Sequence, residues 1–285
     1  MAVAGPVVVK LGGDVLEGEV LVAVADALHA VLASTEPGSA RRIAVVHGGG
    51  PQVTALSARL GVEARIVAGR RVTDRATLDV LKMVIAGRLN IDLCAALQAR
   101  GVLAVGLHAG SGTVRARRRP PRVISGGGPD PVDLGLVGDV VGFDLGLLDT
   151  LWSTGRVPVL SSLGINVAGD AGASGDVLNL NADLVASRLA GALAASLLVA
   201  VTAVGGVRRN QHDPSSRIAR LTVGEARAAI AAGVVQGGMI PKLEEAFVPL
   251  EAGVAGVQIV APHELAGAVR DPGSVGTLLV PDPRA

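Results

Sequence analysis

Residues 42–56 read RIAVVHGGGPQVTAL. A short apolar run ends in His47, three glycines follow, and Pro51 opens a stretch with helical spacing. A run without polar alternation suits a strand buried on both faces. Proline is favoured at the first position of a helix, where its missing N–H would have had no partner. The unit is therefore a strand, a glycine turn and a helix start, and it recurs along the chain. PVVVKL (6–11), LAVGLH (103–108), VPVLSS (157–162), SLLVAVTAV (196–204) and VQIVA (257–261) read as further strands. Between most of them lie helical patterns such as LVAVADALHAVLAS (21–34) and ADLVASRLAGAL (182–193). This alternation predicts an α/β fold with a mostly parallel sheet covered by helices on both faces. Ligands on such sheets sit beyond the carboxyl ends of the strands.

The composition agrees. In 285 residues, hydrophobic types make up 49% and charged types 18%, which excludes a disordered chain, and only 1% are aromatic. Small aliphatic side chains must fill the core. The 26 basic and 25 acidic residues balance to +1, without the basic stripe that a nucleic-acid binder needs. One cysteine, Cys94, excludes a disulfide framework and a cysteine-built metal site. The five histidines show no HxxxH or HxH spacing. The first residues lack the basic and apolar regions of a secretory signal. Residues 189–207 carry no charge and are long enough to raise a transmembrane flag. They divide, however, into a helix end and a β-branched run closed by Gly205-Gly206, so no membrane span is expected.

Four constellations carry chemistry. In VVVKLGG (7–13), Lys10 ends a buried strand just before Gly12 and Gly13. A buried lysine is costly unless it meets an anion, and paired glycines let the backbone approach one; a surface lysine ending a strand is the equal alternative. In the opening stretch, Gly48, Gly49 and Gly50 place backbone N–H groups at a helix start, where phosphate or carboxylate oxygens bind. The segment lacks both GxGxxG and the lysine of a Walker loop. In NLNAD (179–183), Asn181 reads as a helix cap, with Asp183 in the first turn and Asn179 at the same strand edge. An acid there also complements the helix dipole without any ligand. In VVQGGMIPKLEEAF (234–247), Gly237 and Gly238 precede a helix whose first turn holds Pro241 and Lys242. That lysine opposes the dipole, which makes sense if an oligophosphate binds there.

Residues 111–144 are turn-rich and predict β-hairpins flanking a site. Arg115, Arg117, Arg118, Arg119 and Arg122 cluster there, either as a solvated tip or, less economically, as a dock for an acidic partner.

In their order and spacing, VVVKLGG, HGGG, GRRVTD (69–74), PVLSSLG (158–164), NLNAD, GGMIPK (237–242) and GTLLVP (276–281) resemble the N-acetylglutamate kinase branch of the amino acid kinase family. The resemblance spans nearly the whole chain. It implies the amino acid kinase fold, an open three-layer αβα sandwich of two lobes. Residues 1–172 would form the amino-acid-substrate lobe, which also dimerises, and 173–285 the ATP-binding lobe, with the boundary in the loop 168–176. It implies ATP-dependent phosphorylation of the side-chain carboxylate of N-acetyl-L-glutamate, with Mg²⁺ bound mainly through the nucleotide. Lys10 and Lys242 would neutralise the transferring phosphoryl group, and Asp183 would hold both lysines. Gly12, Gly13 and Gly238 would contact ATP phosphates. Gly48, Gly49 and Gly50, with Arg71 and Asn179, would hold the amino-acid substrate. A carboxylate nucleophile is already ionised at neutral pH, so no general base is required.

Two departures stand out. Ala203, in VTAVGGV (201–207), occupies the place of a family aspartate near the nucleotide, and Gly110-Ser111-Gly112 replaces a Lys-Asp-Gly. The resemblance also leaves room for a kinase of carrier-protein-bound aminoadipate in lysine biosynthesis, or for a non-catalytic paralogue that binds nucleotide or acetylglutamate. Arginine-inhibited relatives carry a long N-terminal helix that builds hexamers. Only nine residues precede Lys10, which predicts a homodimer insensitive to arginine; with neither a secretory signal nor a membrane span, the expected setting is cytoplasmic.

Overall fold

The computed structural model describes residues 5–33, 42–124, 128–167, 175–210, 213–235 and 239–283. The expected lobe boundary, apart from its last two residues, and the glycine pair Gly237-Gly238 lie outside these ranges.

In chain order the first half comprises β1 (Val7–Leu11), α1 (Gly18–Ala33), β2 (Ile43–His47), α2 (Gly50–Arg59) and a small hairpin of β3 (Ile66–Val67) and β4 (Arg70–Arg71). A continuous helical run follows, made of α3 (Arg75–Leu81), a π-helical stretch (Lys82–Leu89) and α4 (Asn90–Gln98). Then come β5 (Ala104–Leu107), β6 (Val114–Arg118), β7 (Gly138–Phe143), α5 (Leu145–Ser153), β8 (Val157–Ser161) and β9 (Leu163–Asn166). The second half holds β10 (Val177–Asn179), α6 (Ala182–Ala192), β11 (Leu197–Val201), β12 (Arg220–Thr222), α7 (Val223–Ala231), α8 (Met239–Glu251), β13 (Val257–Val260), α9 (Leu265–Arg270) and β14 (Thr277–Val280).

Eight strands form the central sheet in the order β12-β14-β13-β11-β1-β2-β8-β5. The six from β13 to β5 run parallel. β14 turns back antiparallel to β13, and β12 follows β14. Chain reversal at that edge was not legible in GTLLVP, because a run buried on both faces carries no mark of direction. All six strands expected from the sequence are present, and β11 pairs directly with β1, so the sheet is continuous across the two halves.

Side-chain alternation assigns the layers. Val7, Val9 and Leu11 face the core under α1, α4 and α9, whereas Val8, Ala44 and Val46 face the core shared with α5, α6, α7 and α8. Lys10 has the parity of Val8 and therefore points to the α6–α8 side. Trp152 closes that layer by donating its indole N–H to the Ile43 carbonyl at 2.8 Å.

A second sheet, β10-β9-β6-β7, uses the turn-rich region. β6 and β7 form the expected antiparallel hairpin. Its arginines are not uniformly solvated: Arg119 is buried and forks onto Asp139, while Arg118 pairs with Asp133 at 3.3 Å. Arg119 is thus a structural residue of the hairpin: from just past the end of β6 it reaches diagonally to Asp139 on β7, which stands in register with Arg117.

The uncharged stretch 189–207 resolves into the end of α6 and then β11. Among the described residues no helix is long and apolar enough to cross a membrane.

Candidate functional site

Two groups of polar residues gather beyond the carboxyl ends of the central strands. The first begins at Lys10, which β1 delivers to the α6–α8 face. Its Nζ stands 2.6 Å from Asp183 Oδ1. Asp183 owes its place to the helix start: the Asn181 side chain caps α6 by accepting from the Leu184 N–H at 3.0 Å. The Lys10 side chain is only 13% exposed, so the ion pair is largely withdrawn from water. Lys242 and Glu245 reach the same place from α8. With Lys10, Asp183 and Thr202 they line a cavity of about 250 Å³. Of the two lysines expected on Asp183, Lys10 is the one in direct ion-pair contact.

The glycine turns pack together at this edge. A Cβ on Gly13 would approach the Gly49 Cα to 3.2 Å and Pro51 Cδ to 2.9 Å, so the two turns meet because residue 13 is glycine, while a Cβ on Gly49 would press on Leu89. Gln52 ties them by donating to the Gly13 carbonyl at 2.7 Å. The Gly12 and Gly48 N–H groups donate to Val201 and Leu11 carbonyls at 3.4 and 3.3 Å. Of the five glycine amides expected to meet ligand oxygens, those two are therefore already engaged with the sheet. Gly238 lies outside the described residues.

His47 braces the second turn from below. Its Nδ1 lies 3.0 Å from the Gly48 carbonyl, and the Asn90 amide stands 2.9 Å from its Nε2 and donates to the Val159 carbonyl at 3.1 Å. An amide N–H donating to Nε2 leaves the proton on Nδ1, directed at Gly48. Burial pushes the His47 pKa down to about 4, against the raising effect of the Gly48 carbonyl, so the ring is neutral at pH 7.

The second group surrounds the same turn. Arg71, at the end of the β3–β4 hairpin, donates through Nη2 to Thr54 Oγ1 at 2.6 Å and to the Gly50 carbonyl at 3.4 Å. Its Nη1 is buried without a hydrogen-bond partner. Desolvation lowers the Arg71 pKa from the usual guanidinium value. An unpartnered buried guanidinium donor is costly, and an incoming carboxylate would satisfy it. Asn179 donates to Thr73 Oγ1 at 3.0 Å, which links the edge of β10 to the GRRVTD segment.

Three of these side chains lie inside the quoted segments without standing out there. Thr54 and Thr73 act as props for Arg71 and Asn179, and a threonine within a motif carries no visible mark. Glu245 could have been found from its three-residue spacing to Lys242, which places both on one helix face. At Ala203 the backbone N–H donates to Asp14 Oδ2 at 3.1 Å, so a carboxylate stands beside a position where the resemblance had led us to expect one.

Residues 5–261 match the amino acid kinase family. The chain is 54% identical to an acetylglutamate kinase of Anaeromyxobacter dehalogenans over 97% of its own length and 99% of that protein. It is 53% identical to an acetylglutamate kinase of Sorangium cellulosum, covering 97% and 95% of the two chains. Among solved structures, the N-acetylglutamate synthase of Neisseria gonorrhoeae with coenzyme A and N-acetyl-glutamate superposes with a TM-score of 0.78 at 24% identity. That match covers 98% of this chain and 60% of the synthase. The carbamate kinase of Giardia superposes with a TM-score of 0.70 at 18% identity, covering 98% and 99%. These two likenesses concern the fold.

Proposed function

The chain belongs to the amino acid kinase family, and we infer that its reaction is the ATP-dependent phosphorylation of the side-chain carboxylate of N-acetyl-L-glutamate. The product is N-acetylglutamyl 5-phosphate, in the second step of arginine biosynthesis. The observation that carries this reading is the meeting of two anion-seeking groups at one sheet edge. Lys10 and Lys242 stand on one side, and Arg71 with its unpartnered Nη1 on the other.

The residues divide the work accordingly. Arg71 grips the α-carboxylate of the acceptor, and Asn179 meets its amide-like polar groups. The Gly48–Gly50 turn, held rigid by His47, receives the reacting carboxylate, while Gly12 and Gly13, and Gly238 as the resemblance implies, would serve the phosphates. The acceptor oxygen bonds to the γ-phosphorus as the bond to ADP breaks. Lys10 and Lys242 stabilise the charge that spreads over the phosphoryl oxygens, and Asp183 keeps Lys10 in place. No proton has to be removed from an ionised carboxylate, so the site works by alignment and charge.

Mg²⁺ supplies further charge neutralisation and enters with the nucleotide. Among the described residues no three His, Cys, Asp or Glu side chains gather as a metal cage. In this reading residues 1–172 serve the amino acid and 173–285 serve ATP. A homodimer is supported by Met83 and Ile91, large apolar side chains left exposed on the long helical run, which a second copy would cover. A cytoplasmic setting accords with the single free thiol of Cys94.

The test is an acyl-phosphate assay. With MgATP and acetylglutamate the protein should form a product trapped by hydroxylamine. Free glutamate should be far poorer, because its ammonium replaces a neutral amide. Equal turnover of the two acceptors, or none of either, would sink the reading.

A further inference from the structure

Helix α8 brings a second acid to the lysine pair. Glu245 follows Lys242 by one helical turn and lines the same cavity as Lys10 and Asp183. Its carboxyl is within hydrogen-bonding reach of Asn181 and Asp183, both at the start of α6. The adjoining wall from β11 and β13 is largely apolar, formed by Leu198, Ala200, Val257 and Ile259. An acid on a helix normally turns to water, as the preceding Glu244 does here. Glu245 instead points inward, toward another carboxylate. Two carboxyl groups in contact resist ionising together and hold one proton between them.

We propose that Glu245 is a positioning residue of the phosphoryl-transfer site, acting through Asp183 to set the stance of Lys10 and the net charge offered to the phosphates. This rests on the kinase reading above. The charged and titratable groups facing Glu245 are Lys10 from β1, Asp183 from α6 and Lys242 from its own helix; β11 adds the Thr202 hydroxyl. Burial first, and then the Asp183 carboxylate, push Glu245 up to about 7, while Lys10 and the Asn181 hydrogen bond act in the opposite direction. Protonated Glu245 donates to Asp183 and steadies it against Lys10. Two lysines then face one carboxylate, and the cluster carries one positive charge. Ionised Glu245 cancels that charge and competes with Asp183 for Lys10. The protonated form is therefore the better host for a triphosphate.

The experiment compares the full chain with Glu245→Gln between pH 6 and 8.5. Glutamine keeps an N–H donor for Asp183 but cannot ionise. In the wild type, the KM for MgATP should rise with pH by roughly five- to tenfold more than in Glu245→Gln, the scale of one unit charge a few ångströms away in a partly solvated site. The titration of ATP itself is common to both proteins and cancels in the ratio. Superimposable KM–pH curves would overturn the proposal. If Glu245→Gln does not fold, calorimetry on the wild type decides. MgATP binding near pH 7.5, in buffers of different ionisation enthalpy, should take up protons, and binding without uptake overturns the proposal. Calorimetry needs no acceptor. A protein that takes up protons with MgATP yet leaves acetylglutamate unphosphorylated would refute the substrate reading and retain this one.

Discussion

Lys10 Nζ and Asp183 Oδ1 meet at 2.6 Å, which joins the end of the first strand to the first turn of α6 across the middle of the sheet. The pair fixes a cation where the strand would otherwise bury it unsatisfied. Lys10→Ala and Lys242→Ala should each lower kcat by roughly two to three powers of ten, the scale of losing one electrostatic stabiliser. Asp183→Ala should fall in the same direction by freeing Lys10 to move. Steady-state kinetics at saturating substrate check this, and a Lys242→Ala enzyme with only a raised KM would remove its transition-state role.

Arg71 makes a separate test of the acceptor side. Its Nη2 is held by Thr54 and its buried Nη1 has no hydrogen-bond partner. Arg71→Lys keeps the charge but loses the planar fork, so the KM for acetylglutamate should rise by about tenfold or more with little change in the KM for MgATP. Thr54→Val should give a smaller rise in the same constant. An unchanged acetylglutamate KM in Arg71→Lys would place the α-carboxylate elsewhere.

The residues that were legible in the sequence are those whose local context is odd by itself. Lys10 interrupts an apolar strand, Lys242 opposes a helix dipole, and Asn181 precedes a helical period. Each anomaly persists in the structure as a packed or capped group. Glu245 carries a fainter mark, its three-residue spacing to Lys242. A glutamate on a helix looks ordinary, and its inward turn depends on small residues such as Ala186 and Ala200 across the cavity. The reversed edge strand β14 and the π-helical stretch beside α4 were hidden similarly. Apolar runs record burial, while direction and a change of helical pitch come from tertiary packing.

In the proposed reading Ala203 bears on the nucleotide side. Its N–H donates to Asp14 Oδ2, so an aspartate at 203 would set a second carboxylate beside the first. Ala203→Asp should therefore weaken MgATP binding by a few-fold, and Asp14→Asn should relieve much of that loss. A double-mutant cycle on the MgATP dissociation constant should return a coupling of roughly 1 kcal/mol. Additive effects would mean that the two side chains do not share a neighbourhood.

The buried imidazole under the glycine turn sets a stability limb. His47 has its pKa pushed from the ordinary 6.5 to about 4, chiefly by burial. Between those values the unfolded chain binds the proton that the folded chain refuses. Stability from this group is therefore complete above pH 6.5 and lost as pH falls toward 4. By pH 5 the loss should reach roughly 2 kcal/mol, at about 1.4 kcal/mol per unit of pH. Glu245 works the other way. Its raised pKa contributes stability that is full below the ordinary carboxylate value and fades as pH rises through about 7. The two limbs partly cancel in the wild type, so the measurement belongs in the Glu245→Gln background. There, melting temperature should fall by several degrees between pH 7 and pH 5. Adding His47→Gln, which cannot take a proton, should lower the melting temperature at pH 7 through the lost brace on Gly48 and flatten the pH dependence. A Glu245→Gln protein that melts at the same temperature at pH 5 and pH 7 would show that His47 is not held neutral by the fold.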